Sequence, residues 1–184
     1  MPTKVEAERK VKYVKDAFLF SLGAYALATR EPIASELMNK KVRISDNNQD
    51  IFVLSEGEMP PKSTISFEVK FRGALNNHNA ETFVRQTFLY MIQETFEVIK
   101  RYAELGGKSE IFKSAEWYPF ARHLRNAIGH GGRWKIDPGV KDLPTTFRNK
   151  TITLDMNGAE IGDFVSWLHG QQLCAAMEIW LGEN

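Results

Sequence analysis

What the chain lacks narrows it first. It has one cysteine, Cys174, so no internal disulfide can form and a disulfide-held secreted scaffold is excluded. Its net charge is only +1 over 184 residues, too little to coat nucleic acid by bulk basicity, so any such contact must come from a local patch. No apolar run reaches the ~20 residues that a membrane-spanning helix needs. The nearest candidate, AFLFSLGAYALA at residues 17–28, follows a stretch carrying Glu6, Glu8 and Asp16, unlike the basic leader of a signal peptide. It reads as a buried helix of a cytoplasmic protein that stays off the membrane. There is no internal repeat, no HExxH, no cysteine pair and no glycine-rich phosphate loop. His123 and His130 are seven apart with no acid near them. No metal and no cofactor is therefore expected.

A further absence is local. Residues 117–136 contain no Asp or Glu, although acids and bases are nearly balanced over the chain. Within that stretch, RHLRNAIGHGGRW at residues 122–134 holds three arginines and two histidines and passes through glycines. An unbalanced cationic segment invites a negative partner.

What is present supports a packed core: 43% apolar residues and twelve phenylalanines. Val11, Val14, Phe18, Leu22 and Tyr25 recur at three- and four-residue steps, predicting a helix over residues 5–29 that ends near Pro32. A short helical piece, IASELMNK, follows. KVRIS, IFVLS and TISFEVKF are rich in β-branched and aromatic residues, and DNNQD and EGEMPPK separate them as turn material. Residues 42–71 thus read as a small β insertion or a looser loop. A long stripe then runs through Val84, Phe88, Met91, Thr95, Val98 and Tyr102, with Asn79 as its N-cap and Gly106–Gly107 as its stop. The next helix, begun around residues 114–119, turns Trp117, Phe120, Leu124 and Ile128 inward and stops at the glycines after His130.

RWKID and TITLD read as a late β hairpin, and a last helix is expected from Asn157, where Glu160 completes capping-box spacing. The fold class that follows is mainly α. It is a bundle of about four or five helices with a β insertion and a late β hairpin, in one domain over residues 1–184.

On the helix ending at His130, Asn126 and His130 are one turn apart and Arg122 is one turn earlier. Arg125 is five residues from His130, ~140° around an ideal helix. His130 sits where unpaired helix carbonyls attract positive charge. An imidazole that moves a proton, with a guanidinium to bind charge on phosphate oxygens, suits metal-free RNA cleavage by the ribose 2′-hydroxyl. Asn126 would orient the phosphate or the imidazole. That chemistry needs both groups open to water and not neutralised by carboxylates from elsewhere in the chain. Arg122, His123 and Arg133 are further candidates for phosphate contacts. Trp134, beside Arg133, is a candidate for base stacking, although a tryptophan opening a strand is more often packed inward. Cys174 lies in an apolar run without a base and is no nucleophile candidate.

RNAIGH, Arg125 to His130, resembles the Arg-x4-His motif of the HEPN superfamily, in which a polar residue follows the arginine; Asn126 supplies it. The motif also lies late in a helix, after a long helix and before a further one. The resemblance spans residues 80–181, with no counterpart for residues 42–71. It implies a compact helical bundle and a metal-independent endoribonuclease acting as a toxin, in antiviral defence or in RNA processing. It further implies a homodimer whose two motifs share one cleft, and a partner antitoxin or regulatory protein. Arg125 and His130 would be catalytic, with Asn126 in support. Across a dimer the ~140° offset no longer separates the pair, because Arg125 of one copy can serve His130 of the other. Two other readings compete: a non-catalytic helical dimer binding RNA, nucleotide or a protein partner, and a structural module whose arginines brace the hairpin.

Overall fold

Ala7, Val11, Val14 and Phe18 fall on one side of a helix that runs without a break from Lys4 to Ala28 (α1), and that side is buried. The computed structural model describes residues 3–30, 32–44, 51–55, 57–58, 67–75 and 78–184. The chain divides into two compact units, residues 1–18 with 87–184, and residues 19–86. The protein is mainly helical, with a small antiparallel hairpin late in the chain, as the residue pattern leads one to expect.

The first unit contains the start of α1 and most of α4 (Asn79–Leu105), then α5 (Ser109–Lys113), α6 (Tyr118–Gly129), the hairpin β4 (Thr145–Phe147) and β5 (Lys150–Ile152), and α7 (Trp167–Glu183). Phe88, Met91, Ile92, Phe96, Ile99 and Ala103 form the buried row of α4. Three aromatic groups fill the interior. Phe18 and Phe88 meet Trp167; Phe96, Phe112 and Tyr118 meet one another, with Trp117 and Trp180 on Phe112; Phe120 and Trp134 meet Phe164. Gly170 lets α7 lie close on α4: a Cβ there would stand 2.3 Å from Phe88 Cζ.

The short helix α5 is an element that the apolar spacing does not announce. Two expectations are corrected. RWKID does not pair with TITLD. The hairpin joins residues 145–147 to 150–152 through a two-residue turn in which Arg148 takes φ +56°. Residues 132–136 instead lie along residues 157–161: Trp134 N–H donates to Ala159 O at 2.9 Å, Gly158 N–H to Trp134 O at 2.8 Å and Ile161 N–H to Gly132 O at 2.7 Å. This pairing also removes the early start of the last helix. Asn157 Oδ1 accepts from Ile136 N–H at 2.9 Å instead of capping a helix, and Gly158 and Gly162 take positive φ. The helix begins at Trp167, capped by Ser166, whose Oγ accepts from His169 N–H.

The second unit holds the end of α1, a short helix α2 (Ile33–Leu37), three strands, a short helix α3 (Phe71–Leu75) and the first turns of α4. Strand β1 (Lys41–Ile44) is central, antiparallel to β2 (Ile51–Leu54) and β3 (Phe67–Lys70), with Val42 opposite both Val53 and Val69. The expected strands are thus present. The DNNQD turn and much of EGEMPPK lie outside the described residues. The segment at residues 17–28 is helical as expected, but it is not buried throughout, since Leu19, Phe20 and Leu27 are exposed. Among the described residues, no helix is long and apolar enough to cross a membrane.

Candidate functional site

The site grows out of α6 and its exit. Pro119 fits the first turn, where its missing N–H costs nothing. Phe120, Ala121, Leu124 and Ala127 hold the inner face. At the other end Gly131 and Gly132 take φ of +71° and +80°, and Gly132 N–H donates to Ala127 O at 3.0 Å while Gly131 N–H donates to Ile128 O at 3.1 Å. That Schellman closure needs the left-handed residue that glycine provides, and it fixes His130 as the last residue before the turn.

His130 is exposed, and its side chain makes no hydrogen bond or ion pair among the described residues. Its backbone N–H donates to Asn126 O at 3.0 Å, so Asn126 and His130 stand one turn apart as the spacing implies. Asn126 Oδ1 in turn accepts from Arg125 Nη1 at 3.0 Å. The structure therefore joins Arg125 to Asn126 and leaves His130 free beside them in sequence. Arg125 and His130 share no hydrogen bond with each other.

Arg125 is not a bare cation. Its Nη2 forms an ion pair with Glu97 of α4, both side chains being about one-third exposed, and its Nε is buried without a partner. Arg125 Nη1 donates to Asn126, whereas Glu97 meets the guanidinium as an ion pair only, its Oε1 being buried without a hydrogen bond. Of the two groups, His130 is open and unneutralised among the described residues, whereas Arg125 is partly exposed and paired with a carboxylate from another helix.

The flanking candidates need correction. Arg122 Nη2 donates to both oxygens of Asp142 at 2.8 Å, and His123 donates Nε2–H to Asp142 Oδ1 at 3.0 Å. His123 is only 5% exposed, so it is closed to a phosphate. Arg133 pairs with Glu160 at 2.5 Å and also donates to Gly158 O, which pins the two extended segments together. Trp134, 2% exposed with its ring edge-on to Phe164, has no face left for a base. The acid-free stretch is acid-free only in sequence, since Glu97, Asp142 and Glu160 are brought to it by other parts of the chain. No spacing pattern signals these three, because nothing local to α6 says which helix or loop will lie against it.

Glu97 also lines a groove of about 890 Å³ between α1 and α4, together with Glu6, Arg9, Lys10, Glu94 and Arg101. Its mixed charge does not make a track for a polyanion. Cys174 is buried, and desolvation pushes its thiol up to about 12, which keeps it protonated and inert. His78 and His169 are engaged locally, with Glu81 and with Ser166 and Asn149 respectively. Comparison with family models, with curated proteins and with solved structures finds no match.

Proposed function

We propose that this chain is a metal-independent endoribonuclease of HEPN type, working as a homodimer in a reducing, cytoplasmic setting. A toxin, anti-phage or RNA-processing role and a partner antitoxin or regulatory protein accompany that reading. The observation that carries it is the free, exposed imidazole of His130, held at a glycine-closed helix end one turn from Asn126, whose side chain is tied to Arg125.

In the proposed step the 2′-oxygen of a ribose attacks the adjacent phosphorus. The bond from phosphorus to the 5′-oxygen breaks, leaving a 2′,3′-cyclic phosphate on one fragment and a 5′-hydroxyl on the other. His130 takes the proton from the 2′-hydroxyl, and the imidazole of a second copy gives one to the departing 5′-oxygen. Arg125 offers Nη hydrogens not used on Asn126 to the non-bridging oxygens, where charge builds. Glu97 holds the guanidinium in place and offsets part of its charge.

The test is incubation of the purified chain with single-stranded RNA in excess EDTA. Cleavage with cyclic phosphate ends is expected, together with none on the same strand bearing 2′-O-methyl groups. Linear 3′-phosphate or 3′-hydroxyl ends formed directly, or cleavage of the methylated strand, would rule out 2′-hydroxyl attack.

A second reading has its own observation. Arg122, Arg125 and Arg133 are each paired with a carboxylate, which favours a non-catalytic helical module in which they brace neighbouring segments. If RNA is never cut and Arg125→Ala lowers the melting temperature without changing RNA affinity, that reading replaces the first.

A further inference from the structure

The groove of about 890 Å³ between α1 and α4 lies within the first unit, and Glu97, the partner of Arg125, stands in its wall. That wall carries four carboxylates against three cationic side chains, Arg9, Lys10 and Arg101, so the charges nearly cancel. Three of the carboxylates are taken. Glu6 accepts from Thr3 N–H at 2.7 Å, Glu97 is paired with Arg125, and Glu104 lies 3.8 Å from Lys100. Glu94 is half-buried and makes no hydrogen bond or ion pair among the described residues. A carboxylate partly withdrawn from water without donors is costly, and a ligand that brings two N–H groups side by side removes that cost.

Its place on α4 says which ligand can do so. Glu94 sits one turn before Glu97, ~4.5 Å along the axis. A phosphate on Arg125 therefore has Glu94 within the reach of a neighbouring base. Val98 lies four residues after Glu94, and Arg101, exposed and without a partner among the described residues, three further on. An apolar surface and then a guanidinium plane thus follow the carboxylate along the groove, and splayed bases stack on arginine planes as they do on aromatic rings. Guanine is the RNA base with two adjacent donors, N1–H and the 2-amino group, on its Watson–Crick edge. Adenine and cytosine set an amino group beside a bare ring nitrogen, and uracil sets one N–H between two carbonyls. Each of those acceptors would face a carboxylate oxygen. A neutral base also suits walls whose charges cancel, where neither a cation nor a run of phosphates is favoured.

We propose that this groove is the base-reading subsite of the ribonuclease, and that Glu94 selects a guanine next to the phosphate on Arg125. The inference rests on the RNA-cleavage reading and adds a substrate class to it. One carboxylate oxygen of Glu94 accepts from N1–H and the other from the 2-amino group, while Arg101 lies over the base. Glu94 touches the base and not the reacting atoms, so it sets which strand is cut.

The experiment measures binding by fluorescence anisotropy in a His130→Ala background, with oligouridine strands that carry a single guanosine, inosine or adenosine. The guanosine strand should bind about tenfold or more tighter than the adenosine strand, with inosine, which lacks the 2-amino group, between them. Glu94→Gln, at unchanged helix content, should bring the guanosine-to-adenosine ratio down to about one or below, because a carboxamide matches adenine's amino group and bare nitrogen. Glu8→Gln, exposed on α1 outside the groove, should keep the ratio. Equal affinity for the three strands, or a preference that survives Glu94→Gln, would overturn the proposal. A wild-type chain that cuts oligouridine as fast as the guanosine strand removes this subsite and spares the ribonuclease reading. A preference that depends on Glu94, with no strand ever cut by the wild-type chain, does the reverse.

Discussion

Replacing Glu97 with glutamine keeps the shape of the side chain and removes the charge facing Arg125. Both partners are about one-third exposed, so the pair lies between two regimes. Exposed pairs are worth ~0.2–1 kcal/mol, while removing one partner of a buried pair costs ~3–5 kcal/mol. A loss of about 1–2 kcal/mol is expected, or a Tm lower by roughly 2–8 °C for a chain of this size. The effect on RNA should run the other way. With the carboxylate gone, Arg125 carries its full charge to the site, and one more phosphate can be neutralised. In a His130→Ala background, where RNA is not consumed, Kd for a single-stranded oligonucleotide should fall about fivefold, close to 1 kcal/mol. The slope of log affinity against log salt should steepen by about 0.7. Fluorescence anisotropy over a salt series reads both. Adding Arg125→Ala should cancel the gain, since the coupling between the two residues is what is being measured. An unchanged slope, or a gain that survives Arg125→Ala, would show that Arg125 does not face phosphate.

The remaining expectations concern the scaffold. Gly170→Ala places a methyl 2.3 Å from Phe88 Cζ and 3.0 Å from Ile92 Cδ1, both fully buried, so overpacking in the upper part of the usual range, ~2–3 kcal/mol, outweighs the ~1 kcal/mol that alanine gains in a helix. Tm should drop by roughly 2–6 °C, and a rise would mean that α7 does not lie on α4 as described. Cys174 binds its proton more tightly folded than unfolded, so folding stability should decline as pH climbs from the ordinary thiol value of about 8.5 towards 12, by at most about 1.4 kcal/mol per pH unit. Cys174→Ala should flatten that decline in a chemical-denaturation series, and identical slopes would count against a sealed thiol. Native protein should also resist iodoacetamide until it is unfolded.

The legible parts of this chain are those whose cause is local. Val11, Val14 and Phe18 mark the buried side of α1 by spacing alone, and the β-branched runs at residues 41–44, 51–54 and 67–70 are strands. The end of α6 follows from Gly131 and Gly132, because the closure there needs their backbone freedom. The misread parts depend on a partner remote in sequence. Residues 133–136 have strand-like composition, but nothing in them chooses between residues 151–155 and 157–161. Likewise FRNK carries no glycine to advertise the turn at Arg148–Asn149, and Asn157 looks like a cap until Ile136 N–H claims its oxygen.

The site divides the same way. Asn126 and His130 follow from one helical turn, and so does the exposure of a residue at a glycine exit. The carboxylates on Arg122, Arg125 and Arg133 do not, because they come from residues 142, 97 and 160. The burial of Trp134 and His123 has the same origin, since each is covered by a segment that only the tertiary fold brings over it.

The most direct measurement compares RNA cleavage in EDTA by the wild-type chain and by His130→Ala at matched Tm. The imidazole is exposed and makes no hydrogen bond or ion pair among the described residues, so the variant should fold and bind RNA as before while cleavage falls at least a hundredfold. Cleavage that persists in His130→Ala would contradict the account.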